Sequence, residues 1–175
     1  MIRTQLDQLL IGTPKPFRDD GEMSAIAKMS TDDAAMLGFE GLEGNQVGDP
    51  LRHGGRDKAV HLYAAEHYAF WQEKYPARQP CWKLNHRFGK ADVMKTVVKT
   101  GKSGSYFRVL ETGMVRAGDD FVQQGRPLPE WPLDRLFDLI IGGQHKGRNA
   151  ELRALSNNPL LAENWRARAE QLAVN

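Results

Sequence analysis

One change of periodicity divides this chain. Up to about residue 125 the apolar residues come in short runs broken by glycine and proline. Leu6–Ile11 precedes Thr13-Pro14-Lys15-Pro16, and Ser24–Met29 follows Asp19-Asp20-Gly21. Lys58–Tyr63, Ser105–Leu110 and Phe121–Gln124 repeat the pattern. Short runs bounded by turn residues read as β-strands. Two tight turns, at Glu111–Met114 and Ala117–Asp120, suit an antiparallel sheet or a barrel. Three prolines then fall within Gly125–Pro132, a composition that fits a linker. Beyond it the spacing is helical. Leu133, Leu136, Phe137, Ile140 and Ile141 share one helix face, and Gly142-Gly143 end it. Asn149 opens a second helix carrying Leu152 and Leu155. Asn158-Pro159 opens a third, with Leu161, Trp165 and Leu172 on one side. The expected organisation is a mainly β domain over residues 1–125, a linker over 126–132 and a three-helix domain over 133–175.

Two peripheral helices are expected within the first domain. Ala64, Tyr68, Trp71 and Tyr75 lie on one helical face, limited by Pro76. Asp92–Lys99 carries Val93, Val97 and Val98 and stops at Gly101. Between Leu37 and Gly55 the density of glycine predicts a loop region, holding Asn45, Gln46, Asp49 and His53. In the strand Lys58–Tyr63, alternation puts Ala59, His61 and Tyr63 on one face. His61 and His67 lack the helical spacing of a zinc pair.

Charge and cysteine content exclude several classes. With 24 basic and 22 acidic residues the net charge is +2, too balanced to argue for nucleic-acid binding. A single cysteine rules out an intrachain disulfide and any zinc site with two thiolates. No apolar run is long enough to span a membrane, and no secretory leader is legible. The expected setting is a reducing cytoplasm.

That one cysteine, Cys81, stands in Arg78-Gln79-Pro80-Cys81-Trp82-Lys83-Leu84-Asn85-His86-Arg87. A thiol is nucleophile or metal ligand only as thiolate, and Arg78, Lys83 and Arg87 would favour that form. Pro80 restricts the backbone on both sides. Most lone cysteines are inert core. Lys28, at the end of the second strand, is an ordinary edge charge unless it faces the same place as Cys81.

Two segments taken together carry a resemblance. The first runs from Gly38-Phe39-Glu40-Gly41-Leu42-Glu43-Gly44-Asn45-Gln46 through His53-Gly54-Gly55-Arg56-Asp57-Lys58-Ala59-Val60-His61-Leu62-Tyr63 to Glu66-His67-Tyr68. The second is Gln79-Pro80-Cys81-Trp82-Lys83-Leu84-Asn85. They resemble the MOSC domain, and within it the bacterial YiiM-like branch. Ser24-Ala25-Ile26-Ala27-Lys28, Gly104–Leu110 and Gly118-Asp119 match that branch too, and the helical tail resembles its appended three-helix domain.

The resemblance implies a β-barrel-like core that binds a molybdenum cofactor. It implies reduction of N-hydroxylated compounds such as hydroxylaminopurine-type base analogues. Cys81 becomes the metal ligand and, with Lys28 and His53, a catalytic candidate. Arg56, Lys58, His61, Lys83 and Asn85 become cofactor-binding candidates. A soft thiolate suits molybdenum already held by dithiolene sulfur. Cations suit the phosphate of the pterin. A protonated Lys or His can give a proton to the departing oxygen. The implied partners are a small N-hydroxylated substrate and an unidentified electron donor, with no nucleic acid or membrane; a homodimer is the candidate assembly. The alternative is a non-redox carrier that holds persulfide on Cys81 for a partner, and a third reading leaves Cys81 merely packed in a binding or regulatory domain.

Two departures stand out. Arg56 occupies a position where the family commonly has proline. Between Trp71 and Arg78 the family carries on the order of 40 further residues, with a Gly-Glu-Asn-Leu motif and several strands. Here only Gln72–Ala77 remain. Either the segment is deleted or it is not represented in this sequence, and family-like residues resuming at Gln79 favour the second. About five strand candidates are few for closing a barrel.

Overall fold

The computed structural model describes residues 3–16, 21–48, 53–67, 70 and 91–174. They form two compact units: residues 1–91 with 103–125, and residues 92–102 with 126–175.

The first unit is built of short antiparallel ladders. β1 (Arg3–Gln5) pairs with β11 (Asp120–Val122), and the Arg3–Asp120 ion pair lies across that ladder. Beyond it, Leu6 N–H donates to the Asp119 carbonyl at 2.9 Å and Gly118 N–H to the Leu6 carbonyl at 2.8 Å. β2 (Leu9–Ile11) pairs with β5 (Met29–Thr31), and β3 (Lys15–Pro16) with β4 (Met23–Ser24). β6 (Ala35–Gly38) lies between β7 (Gly41–Leu42) and β10 (Gly113–Val115). β8 (Val60–Leu62) pairs with β9 (Ser105–Phe107). Among the described residues these ladders do not join into a closed barrel. Closure needs strands that bond on both edges, and here only β6 does so.

Several expectations shift. The first strand is two strands, because residues 6–8 leave the ladder. Gly38, Gly41 and Leu42 sit in a hairpin rather than a loop, turning at Phe39-Glu40. Gly41, at φ +128°, makes that hairpin close-packed. A Cβ there would lie 2.6 Å from the Ala59 carbonyl oxygen. Ser24–Met29 is not one strand, since Ala25–Lys28 leave the ladder between β4 and β5. Residues 56–58 form a 3₁₀ turn ahead of β8. Residues 65–67 are helical, as the spacing predicts, while Trp71, Tyr75 and the 72–78 junction lie outside the described residues.

The second unit is helical: α1 (Val93–Thr100), α2 (Leu133–Ile140), α3 (Asn149–Ser156) and α4 (Glu163–Ala173). Val93 and Val97 are buried, and Gly101, at φ +64°, closes α1 with its N–H on the Val97 carbonyl. A core of Leu136, Leu139, Ile140, Leu152, Leu155, Ala169, Leu172 and Ala173 joins α2, α3 and α4, with Trp131 and Trp165 against it. The apolar face of α2 is rotated from the expected one. Leu139 is fully buried and Leu133 is 58% exposed. Asn158 does not cap a helix. Its side chain accepts from Leu160 N–H at 3.0 Å and its carbonyl from Leu161 N–H at 3.1 Å. That Asx turn postpones α4 to Glu163. At the start of α3 Arg148 grips Glu151 with two hydrogen bonds of 2.6 and 2.7 Å, and Arg135 adds a third at 2.6 Å. Among the described residues no helix is long and apolar enough to cross a membrane.

Candidate functional site

The site begins at a mismatch between two arms of one antiparallel pair. Ile11 opposes Met29, but Lys15 opposes Ser24. Residues 12–14 therefore face residues 25–28, which carry one residue more. This is a β-bulge, a device that bends a strand and re-aims a side chain. Local chemistry explains it. Pro14 has no N–H to give. Gly12 spends both its backbone groups elsewhere: its N–H donates to Asn45 Oδ1 at 3.2 Å, and its carbonyl accepts from Gln46 N–H at 2.9 Å. Gly12 must also be small. A Cβ there would lie 3.2 Å from both the Ala25 carbonyl oxygen and Lys28 Cγ.

Lys28 is the last residue of the bulge. Its Nζ donates to the same Asn45 Oδ1. Two donors converging on one atom identify it as the amide oxygen, since the amide nitrogen cannot accept. Lys28 is half-buried, and this burial holds its ammonium below the usual lysine range. Among the described residues no carboxylate pairs with it.

His61 lies close enough to feel that charge. It sits on β8 opposite Tyr106 of β9, and the rings stack at 4.5 Å and 21°. Tyr63, two residues on and on the same face, meets it edge-on at 5.5 Å. Nε2 lies 3.0 Å from the Ser103 carbonyl oxygen. A carbonyl only accepts, so Nε2 carries the proton and a neutral ring keeps Nδ1 free to accept. The residue as a whole remains exposed, but one ring face and the Nε2 edge are covered. Desolvation there lowers the pKa of His61; the bond to Ser103 raises it, and the Lys28 charge lowers it further. Gly104, at φ +69°, makes the turn that presents Ser103. A Cβ at 104 would lie 2.6 Å from the Leu62 carbonyl oxygen and 2.7 Å from His61 Nε2.

The structure thus brings together two sequence candidates, Lys28 and His61. His53 is half-buried, just ahead of Gly54 and Gly55, both at positive φ. Lys58 closes the 3₁₀ turn with its N–H on the Gly55 carbonyl at 3.0 Å. Arg56, exposed, lies over the Phe39 ring at 4.8 Å. Asp57 between them pairs with Arg108. Cys81, Lys83 and Asn85 lie outside the described residues. The sequence reading passed over Asn45 as a loop residue and did not single out Gly12, Ser103 or Tyr106 for the site. Tyr106 alone had a local signal, its place in a strand able to pair with Lys58–Tyr63.

Comparison with known proteins places these features. The MOSC domain pattern matches residues 76–122, a span that includes Cys81. The chain is 30% identical to YflK, an uncharacterized protein of Bacillus subtilis, over 201 aligned residues that take in 91% of this chain and 90% of that one. This protein belongs to the MOSC-domain family, in its YiiM-like branch. YiiM of Escherichia coli is 29% identical over 140 residues, 56% of this chain and 62% of that protein. A protein of Gibberella moniliformis called a reductase is 26% identical over 193 residues, covering 85% of this chain but 33% of its own length. The crystal structure of YiiM from Geobacillus stearothermophilus shares the fold, with a TM-score of 0.72 at 20% identity over 98% of this chain and all of that one. The alignment with YflK is longer than the 175 residues of this chain, so YflK carries residues that this protein lacks.

Proposed function

We propose that this protein binds a molybdenum cofactor and reduces N-hydroxylated compounds, hydroxylaminopurine-type base analogues among them. The observation that carries the reading is the Lys28 ammonium. It is half-buried, held on a neutral amide, and has no carboxylate partner among the described residues. Its membership of the MOSC family and the reductase name of one relative support the same chemistry.

The donor set fits such a group. Lys28 offers two further N–H donors to an anion, and Arg56 and Lys58 add charge on one short turn. Cys81 would hold the metal, as a soft thiolate suits, with Lys83 and Asn85 following it in sequence. When bound, the cofactor would supply the electrons for cleaving the N–O bond. The chain's own task is to deliver protons, because the departing oxygen must leave as water. Lys28 is the donor of choice, with His53 as a second. His61, neutral at pH 7 with its proton on Nε2 toward Ser103, acts as a hydrogen-bond acceptor through Nδ1.

The test is metal analysis of protein made in a molybdopterin-competent host, followed by turnover of an N-hydroxylated base with a chemical electron donor. Retained molybdenum that is lost in Cys81→Ser, together with turnover, is expected. Protein that carries neither metal nor activity overturns the reading, and a persulfide mass adduct on Cys81 without metal selects the sulfur-carrier alternative.

A further inference from the structure

We infer that Asn45 is a positioning residue: its amide oxygen, itself anchored by the Gly12 N–H in the β-bulge, holds the Lys28 ammonium in place beside His61 without neutralising it. This rests on the reading of Lys28 as proton donor, but its geometry stands apart from that reading.

Three observations converge. First, the bulge forces the contact. The extra residue between β4 and β5 brings Lys28 to Gly12, and Gly12 has both backbone groups bonded to residues 45 and 46. The glycine-rich stretch is therefore tied to the bulge by backbone, and Asn45 cannot drift without breaking the Gly12 bond. Second, both partners of Asn45 Oδ1 are donors, so the acceptor capacity of that oxygen is filled and the amide has one orientation. A lysine stem has four rotatable carbons, and an ammonium left to itself takes the most hydrated of its many positions. Third, the holding group is an amide. A carboxylate would stabilise the charged form and raise the pKa of Lys28, making a weaker acid. An amide fixes the direction of one N–H and leaves the charge and the other two N–H groups for a ligand.

The first measurement needs neither cofactor nor substrate. Lysines are acetylated as free amines, so the pH dependence of acetylation at Lys28, read by mass spectrometry, reports its titration. Exposed Lys146 in the same sample is the reference. In the native chain the Lys28 midpoint lies below that of Lys146. In Asn45→Ala the freed ammonium reaches water, and its midpoint rises to match Lys146. In Asn45→Asp it rises because a carboxylate now faces it. That variant keeps the acceptor, so it decides the matter if Asn45→Ala does not fold. An unchanged Lys28 midpoint in the variants overturns the assignment.

The second measurement uses the cofactor-loaded protein. A misdirected proton donor lowers kcat about 10- to 100-fold and leaves KM within about threefold. Asn45→Ala should show that split. Asn45→Asp should keep more of kcat and move the alkaline limb of the pH profile upward, because activity is lost as Lys28 deprotonates. Equal kcat in Asn45→Ala and the native protein overturns the assignment. If the native protein shows no reductase activity, the proposed function fails while the acetylation result still decides the role of Asn45.

Discussion

Replacing Gly104 by alanine tests the link between backbone shape and the His61 site. Gly104 sits at φ +69°, a region that costs an L-residue about 1–2 kcal/mol. The new Cβ would also lie 2.6 Å from the Leu62 carbonyl oxygen, 2.6 Å from Tyr63 Cδ2 and 2.7 Å from His61 Nε2. The rings can yield, but the Leu62 carbonyl belongs to the backbone of β8 and yields only if the β8–β9 ladder shifts. Such overpacking costs about 1–3 kcal/mol. Pushing His61 aside loses its bond to Ser103, worth about 1 kcal/mol. The sum is about 4 kcal/mol. Gly118→Ala is the control. Its φ is +89°, yet nothing lies within 4 Å of the Cβ position, so only the backbone cost of about 1–2 kcal/mol applies. Urea denaturation of both variants isolates the steric part, about 2–3 kcal/mol, or a midpoint lower by about 1–3 M in Gly104→Ala. The proton resonances of His61, followed against pH, should move to the ordinary imidazole range in Gly104→Ala and stay in Gly118→Ala. Equal destabilisation of the two variants, or an unmoved His61 titration in Gly104→Ala, refutes the argument.

Two further outcomes follow from the packing and the charges. Leu152→Ala should destabilise the helical unit by about 3 kcal/mol, because the side chain is fully buried, while Leu133→Ala on the exposed side of α2 should stay within about 0.5 kcal/mol; tryptophan fluorescence during denaturation, with Trp131 and Trp165 at the core, reads both. His61 has a lower pKa folded than unfolded, so the unfolded chain binds the proton more readily. Its contribution is complete above the ordinary imidazole value, about 6.5, and is lost as pH falls through and below it. The urea midpoint of the native protein should therefore drop more steeply from pH 7 to pH 5 than that of His61→Phe, and parallel curves would contradict it.

Much of the architecture was legible where the signal is local. The valines before Gly101 give α1, and a glycine in the left-handed region ends it. Leu152 and Leu155 mark the buried side of α3. Alternation put His61 and Tyr63 on one face, where their rings meet. The errors have physical causes. The face of α2 turned toward Leu139 because partners on α3 and α4, not propensity, choose which side is buried. Asn158 bonded its own turn instead of a helix, since the same side chain serves either. The hairpin at Phe39-Glu40 looked like loop because its glycines are there for close approach to residue 59.

The sequence by itself determined that the chain has a strand-rich part and a helical part, that one thiol carries any sulfur chemistry, and that the family is the MOSC domain. Those properties rest on residue type and short spacing. Only the tertiary structure decided that Lys28, Asn45 and Gly12 share one oxygen, and that Lys28 stands within electrostatic reach of His61. That contact depends on the one-residue difference between two strands paired across residues 9–31, and no local pattern encodes which residue of one strand will oppose which of the other.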